Sequence, residues 1–169
     1  MTVLLTLAST LLAAAAGSLP AASERVEFPN IEMADAAGQV HRLEAFRGTV
    51  TILNFWATWC GPCRYELPEL QKVSNEFGGQ GVVVLAVNVD GPAPQVERFI
   101  ASTGLALPVV FVDGRTQAEL GIDRIPFTVV LDRQGKAVRA YAGYSAAAMK
   151  DLREVTGELL REGAKKGGK

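Results

Sequence analysis

The stretch NFWATWCGPCRYELPEL, residues 54–70, decides the fold and holds both cysteines of this 169-residue chain. It continues a mostly apolar, strand-forming run at 49–57, which predicts a central strand of a sheet. From residue 60 to 77 the apolar residues recur every three or four positions, which is the spacing of one helix face. The two thiols, Cys60 and Cys63, therefore lie at a predicted junction between a strand and a helix.

A Cys-x-x-Cys pair at the start of a helix favours redox chemistry. Unpaired backbone N–H groups and the helix dipole favour negative charge near Cys60 and so increase its thiolate fraction. Cys63 lies one helical turn further on and can form a disulfide with Cys60. In the predicted cycle Cys60 attacks a target disulfide, and Cys63 then attacks Cys60 and releases the reduced target. Gly61 and Pro62 keep the connection short.

The thiol pair has two other interpretations, half of a metal site and an inert structural bridge. Zinc usually takes about four ligands, and His41, the only histidine of the chain, lies in a predicted exposed strand far from the thiols in sequence. A bridge that spans only two residues constrains little of the unfolded chain, so its stabilising effect is small. Redox activity is the favoured hypothesis, with no metal and no cofactor.

The composition is that of one ordinary globular domain with a sizeable core. Apolar residues make up 49% of the chain and charged residues 21%. The formal net charge is −1, which gives no basic surface for nucleic acid. We therefore expect no nucleic-acid partner.

The two ends of the chain differ from its middle. Residues 1–22 are predicted to be a signal peptide or an N-terminal membrane anchor, because the apolar run Val3–Ala16 is too short for an ordinary spanning helix and no charge occurs before Glu24. A buried N-terminal helix is the alternative. Residues 23–162 are predicted to form the domain, and residues 163–169, GAKKGGK, a disordered tail.

Strand and helix patterns alternate between these ends. Apolar residues at 96, 99 and 100 indicate a short helix, and those from 149 to 159 indicate a final one. Strands are predicted at 39–43, 82–90, 108–113, 125–132 and 136–144. This order predicts an α/β fold, a central mixed β-sheet with helices on both faces.

Two separate segments resemble the thioredoxin superfamily. FWATWCGPC at 55–63 is similar to the family's active-site stretch, and GIDRIPFTVVLD at 121–132 is similar to its cis-proline loop. The resemblance implies a thioredoxin-like fold in which the Ile125–Pro126 bond is cis and Pro126 faces the cysteines. It also implies that the Ile125 backbone binds an extended substrate and that this loop keeps metal away from the thiols.

A finer resemblance is to the TlpA- and ResA-like branch, which supplies membrane-tethered or secreted reductants outside the cytoplasm. Residues 28–70 resemble this branch almost throughout, including an N-terminal β-hairpin before the first core strand. Residues 91–112 look like its characteristic βα insertion. The resemblance covers about residues 28–162.

Two further side chains are assigned through this resemblance, and two tryptophans are assigned from their positions. Asn54 occupies the position where cytoplasmic thioredoxins have a buried Asp, and it cannot take a proton. The branch tends to place a Glu three residues after the second cysteine, here Glu66, which is predicted to accept the proton of Cys63. A solvated Glu on a helix face is the alternative. Trp59, next to Cys60, is expected to offer substrates an apolar contact, whereas Trp56 is expected to be a packing residue. The alternative is that both are core residues only.

The residues between the thiols predict the direction of electron flow. Oxidising relatives often have His there, which stabilises the reduced form, and neither Gly61 nor Pro62 can do so. If Arg64 turned toward the sulfurs, its positive charge would stabilise the thiolate and make the couple more oxidising. The sequence thus predicts an extracytoplasmic (periplasmic, secreted or tethered) thiol–disulfide oxidoreductase that reduces protein disulfides, with apocytochrome c or copper-site proteins as implied targets and a membrane thiol transporter as implied donor. The alternatives are a general disulfide oxidase or isomerase and a non-catalytic metal-handling module.

Overall fold

A computed structural model describes residues 19–166 of the chain, and in this range one mixed sheet carries four α-helices. The strands are Val26–Glu27 (β1), Glu32–Asp35 (β2), Val40–Arg42 (β3), Val50–Trp56 (β4), Val82–Asn88 (β5), Val109–Phe111 (β6), Phe127–Leu131 (β7) and Lys136–Ala142 (β8). The helices are Cys63–Phe77 (α1), Pro94–Thr103 (α2), Gly114–Leu120 (α3) and Ala146–Lys166 (α4). The order in the sheet is β1-β8-β7-β4-β5-β6-β2-β3.

β4 is the central strand from which the thiol segment emerges. It runs parallel to β5 and antiparallel to β7, and every residue in it is buried. Ile52 and Trp56 belong to the apolar cluster that also contains α1 residues, whereas Leu53 and Phe55 belong to the cluster on the opposite face. Because successive strand residues point to opposite faces, Asn54 lies on the α1 face.

Helices cover both faces of the sheet, so the predicted thioredoxin-like α/β fold is confirmed. α1, α2 and α4 contribute to one apolar cluster, and α3 contributes to the other together with the segment before β2. β2 and β3 form the predicted N-terminal hairpin. α2 and β6 lie within the predicted insertion at 91–112.

The helices differ from the sequence predictions in three ways. α1 begins at Cys63 rather than at residue 60, because the residues between the thiols form a turn before the helix. α3 was not predicted, since it is short and polar and buries only Leu120. α4 continues to Lys166, so residues 163–166 are helical where the sequence predicts a tail. The predicted N-terminal segment at 1–18 and residues 167–169 lie outside the described residues.

A buried cation joins both ends of the domain to the β7–β8 turn. Nη1 of Arg25 lies 3.1 Å from Oδ2 of Asp132, and both side chains are only 3% exposed. Nη2 of Arg25 lies 2.8 Å from the carboxylate of Glu162 on α4. This network lines a small cavity together with Val50, the first residue of β4. No helix in residues 19–166 has both the length and the apolar character needed to cross a membrane.

Candidate redox site

The two cysteines form a disulfide at the N-terminus of α1. Their sulfurs are 2.10 Å apart and their Cα atoms 5.4 Å apart. Pro62 is the N-cap residue with helical backbone angles, so α1 starts at Cys63. The backbone N–H of Cys63 donates to Sγ of Cys60 at 3.2 Å. Cys60 keeps 4% of its surface exposed and Cys63 none, so Cys60 is the outer of the two residues.

The loop before Cys60 is held from the end of β5. The backbone N–H of Thr58 donates to Oδ2 of Asp90 at 2.7 Å. Asp90 is itself oriented by Asn88, whose side-chain nitrogen lies 3.3 Å from the same Oδ2 and whose Oδ1 accepts the Asp90 N–H at 2.8 Å. Asn88 is fully buried, which gives the loop a fixed support. Sequence reasoning missed this pair, although both residues lie at the end of the strand predicted at 82–90.

Arg64 also holds this loop and does not make the contact with the sulfurs that would oppose a reducing couple. Its Nη2 donates to the carbonyl oxygen of Thr58 at 3.1 Å. Its guanidinium lies 5.7 Å from the ring centroid of Phe99 on α2, a cation–π distance. The ring of Phe99 in turn packs against Trp56, with centroids 5.0 Å apart. The insertion helix α2 therefore supports the loop through Phe99.

Glu66 lies on the buried face of α1, one turn after Cys63. Its residue surface is only 2% exposed, so the alternative of a solvated helix carboxylate is wrong. Burial raises the pKa of Glu66 to about 7, although hydrogen bonds from Thr128 and Asn54 act to lower it. By contrast, Glu69 and Glu76 are partly exposed and pair with Arg153. A carboxyl group that titrates near neutral pH can take up or release a proton during a thiol reaction.

Asn54 and Thr128 complete a buried polar cluster with Glu66. The Thr128 hydroxyl donates to Oε1 of Glu66 at 2.8 Å, and Nδ2 of Asn54 donates to Oε2 at 3.2 Å. The same Nδ2 lies 2.8 Å from Oγ1 of Thr128, whereas Oδ1 of Asn54 is buried without a hydrogen-bond partner among the described residues. Sequence reasoning missed Thr128. It is directly paired with Asn54 between β4 and β7, so the strand register could have found it.

The cis-proline loop lies at the start of β7. The Ile125–Pro126 bond is cis, as predicted. Ile125 packs against the apolar cluster that contains both cysteines. Within residues 19–166 neither backbone group of Ile125 forms a hydrogen bond, so both are free to pair with a ligand. Pro126 is buried and its carbonyl oxygen accepts the N–H of Gly143 at 2.8 Å.

The two tryptophans have different environments. Trp56 is fully buried, which confirms its predicted packing role. Trp59, directly before Cys60, is 72% exposed and so is not a core residue. Gly61 and Pro62, between the thiols, are exposed as well. The predicted substrate contacts of these three residues stay a prediction.

His41 is separated from the thiols by most of the sheet. It lies on the edge strand β3, with β2, β6 and β5 between it and β4. Its Nε2 is 3.0 Å from Oδ2 of Asp35 in the same hairpin. Within the part of the chain that the structure describes, no three His, Cys, Asp or Glu side chains come together as ligands for a metal ion.

Comparison with known proteins identifies relatives that are thiol–disulfide oxidoreductases. Residues 25–156 match the AhpC/TSA family. Thiol-disulfide oxidoreductase ResA of Geobacillus thermodenitrificans is 38% identical over 117 residues, 68% of this chain and 67% of that protein. The ResA protein of Bacillus subtilis is 33% identical over 128 residues, 75% of this chain and 72% of that protein.

A solved structure is similar as well. The crystal structure of a secreted thiol-disulfide isomerase from Corynebacterium glutamicum has a TM-score of 0.74 at 28% identity and covers 88% of this chain and 94% of its own. The relatives and the similar structure are thiol–disulfide proteins, which is consistent with a redox-active disulfide at the start of α1. The chain belongs to the AhpC/TSA family of thioredoxin-like proteins, in the branch of the ResA thiol–disulfide oxidoreductases.

Proposed function

We propose that this protein is an extracytoplasmic thiol–disulfide oxidoreductase that reduces disulfides in other proteins. One observation carries the proposal: the Cys60–Cys63 disulfide lies at the N-terminus of α1, with Glu66 buried one turn after Cys63. Thiol–disulfide exchange by a dithiol needs an outer sulfur that attacks and an inner sulfur that resolves the mixed disulfide. A buried carboxyl group next to them can take up the proton of the resolving thiol.

The first step takes place at Cys60. In the disulfide form Sγ of Cys60 already accepts the Cys63 N–H at the positive end of α1. The same N–H and helix end would favour the negative charge of its thiolate in the reduced protein. The thiolate attacks one sulfur of a substrate disulfide. A mixed disulfide forms, the substrate S–S bond breaks, and the second substrate sulfur leaves as a thiolate that takes a proton from water.

The second step takes place at Cys63. Its thiol gives its proton to the Glu66 carboxylate, and the resulting thiolate attacks Sγ of Cys60. The Cys60–Cys63 disulfide forms, and the remaining substrate sulfur leaves and takes up a proton. Overall two electrons pass from the protein dithiol to the substrate disulfide. Because Cys60 reacts as a thiolate, the first substrate sulfur takes its proton from water, and the second takes the proton that Cys63 gave to Glu66. A donor thiol must then reduce the Cys60–Cys63 bond again.

Two features support the reducing direction. Neither Gly61 nor Pro62 can donate a side-chain hydrogen bond to the Cys60 thiolate, so the reduced form gains no extra stability from them. Arg64 binds Thr58 and Phe99 instead. A dithiol that is not specially stabilised gives up its electrons more readily.

Substrates, donor and location follow from the family resemblance. The resemblance to the TlpA- and ResA-like branch implies the cysteines of apocytochrome c, or those of a copper-site protein, as candidate substrates. Outside the cytoplasm the donor would be a membrane thiol transporter. Similarity to a secreted protein supports the extracytoplasmic location. The apolar segment at the start of the chain is the candidate signal or tether.

The decisive experiment traps the mixed disulfide. A Cys63→Ala variant expressed in cells should accumulate covalent complexes through Cys60 that dissolve with dithiothreitol, and mass spectrometry would identify the trapped proteins. A Cys60→Ala variant is the matched control, because it lacks the attacking sulfur and should trap none. Equal trapping by both variants, or none by Cys63→Ala, would reject the proposal.

A disulfide isomerase is the second candidate, because the similar structure from Corynebacterium glutamicum is named as one. The redox equilibrium of the Cys60–Cys63 pair with glutathione separates the two functions. A reductant stays largely oxidised in a buffer that reduces an isomerase. The same titration would also detect a general oxidase.

A further inference from the structure

Exposed large apolar side chains are concentrated around the dithiol. In residues 19–166 there are four such residues: Val40, Trp59, Tyr65 and Tyr144. Val40 lies on the edge strand β3, whereas the other three lie in the segments next to the cysteines and next to the cis-proline loop. Apolar groups that stay exposed together often mark a contact surface.

Tyr65 and Tyr144 form an exposed pair. Tyr65 is in the first turn of α1, two residues after Cys63, and Tyr144 is in the loop between β8 and α4. Their ring centroids are 6.3 Å apart with an angle of 23° between the planes. Tyr65 nevertheless remains 69% exposed and Tyr144 37% exposed. Each ring thus covers part of the other, and Tyr65 in particular stays open to a third group.

The pair connects the dithiol helix to the cis-proline loop. Tyr144 follows Gly143, whose N–H donates to the carbonyl oxygen of Pro126 at 2.8 Å. Ile125, whose backbone groups form no hydrogen bond within residues 19–166, directly precedes that proline in the chain. A segment that pairs with Ile125 and places its cysteine on Cys60 therefore passes close to the tyrosines.

Uncharged residues flank the pair on both helices. Pro62 and Pro68 are exposed on the α1 side, and Ala146 and Ala147 are exposed at the start of α4. Two charged side chains of α1 near Tyr65 already have partners: Arg64 is bound to Thr58 and Phe99, and Glu69 is paired with Lys72 and Arg153. This surface suits an uncharged ring rather than an acidic or basic side chain.

We propose that Tyr65 and Tyr144 form a specificity site for an aromatic or large aliphatic side chain next to the reactive cysteine of an extended protein substrate. The inference rests on the proposed function. Tyrosine offers a large rigid surface at a low cost in conformational entropy. A second copy of the chain on this surface would cover Cys60, so a substrate segment is the better occupant.

The test compares two disulfide-linked peptides that differ only in Phe or Ser next to the cysteine, with glutathione disulfide as a small probe. The wild-type protein should have a lower KM for the Phe peptide than for the Ser peptide. Tyr65→Ala and Tyr144→Ala should each raise the KM for the Phe peptide by about threefold to tenfold, the range expected for one aromatic contact. In the double variant the KM for the Phe peptide should rise by less than the product of the two single effects, because the two rings form one contact.

Three controls keep this test specific. KM for the Ser peptide and for glutathione disulfide should stay unchanged in all the tyrosine variants. Tyr65→Phe should keep the preference for the Phe peptide, because it keeps the ring. Val40→Ala removes an exposed apolar group of β3 and should leave the KM for all three probes unchanged.

The outcomes separate this inference from the proposed function. If the wild-type protein reduces none of the three probes, the proposed function and the inference both fail. If it reduces the Phe and Ser peptides with equal KM, or if the alanine variants affect all probes equally, only the inference fails. A wild-type dimer that Tyr65→Ala dissociates would also overturn it, since the occupant would then be a second copy.

Discussion

Nδ2 of Asn54 on β4 lies 3.2 Å from Oε2 of Glu66 on α1, and this contact links the central strand to the helix that bears the dithiol. An Asn at this position can donate to the carboxylate but cannot compete with it for a proton. Together with Thr128 it opposes the effect of burial, which raises the pKa of Glu66 to about 7. The carboxyl group is thereby kept in the range where it can exchange a proton near neutral pH.

Thr128→Val should shift the pH dependence of the resolving step upward. The hydroxyl of Thr128 donates to Oε1 of Glu66 and lowers its pKa, so its removal raises that pKa further. The rate at which the mixed disulfide resolves, followed by stopped-flow fluorescence, should then rise with pH at a higher midpoint. Thr156→Val is the matched control, because Thr156 is also buried and its hydroxyl binds a carbonyl within α4. An unchanged midpoint in Thr128→Val would argue against proton transfer to Glu66.

Glu66→Gln should stabilise the oxidised protein at about pH 8 but not at about pH 5. The folded state raises the pKa of Glu66 from 4.5 to about 7, so between these values the folded protein binds more protons than the unfolded one. The free energy of unfolding therefore falls as pH rises through this window, by up to about 3 kcal/mol, since one pKa unit corresponds to about 1.4 kcal/mol. Denaturant unfolding at both pH values measures the effect. If Glu66→Gln changed the free energy of unfolding equally at both pH values, the charge of Glu66 would not be the cause of the change.

Asp90→Ala should reduce the reactivity of the dithiol as well as the stability of the fold. Asp90 accepts the Thr58 N–H at 2.7 Å, and loss of such a bond costs about 1–3 kcal/mol. Asp113→Ala is a close control, because Asp113 accepts the Thr116 N–H at the same 2.7 Å at the start of α3. Both variants should unfold at lower denaturant, but only Asp90→Ala should slow reduction of a peptide disulfide. Equal slowing in both would mean that the Thr58 loop does not position Cys60.

Arg25→Ala should destabilise the domain by about 3 kcal/mol, because it leaves the buried carboxylate of Asp132 without its charged partner. Glu162→Ala should cost less than about 1 kcal/mol, since Glu162 is 41% exposed. Urea unfolding of the two single variants and the double variant gives the coupling between them. A smaller loss in Arg25→Ala than in Glu162→Ala would contradict the assignment of the buried pair.

The central strand and the dithiol helix were predictable because their patterns are local. A run of apolar residues at 49–57 predicts a buried strand, and β4 is buried at every position. The three- and four-residue spacing predicts α1, which differs only in its first turn. α3 was not predictable in this way, because Leu120 is its only buried residue and a single apolar residue shows no period.

The site was predictable only where a short motif carries it. The cysteine pair and Pro126 lie in segments that can be recognised along the chain. Thr128 could not be found so easily, because its partner Asn54 is 74 residues away and their contact depends on β7 lying next to β4. The predicted role of Glu66 depends in the same way on burial, which its position in an amphipathic helix left open.

The buried Arg25 network lies at the opposite end of β4 from the thiols. Arg25 and Asp132 lie beside Val50, at the beginning of β4, while the thiols follow its other end. The strand's seven residues separate these two poles by roughly 20 Å. A tether joined to the chain just before Arg25 would hold the domain by its base. The Cys60–Cys63 end of the domain would then face away from the membrane, where protein substrates could reach it.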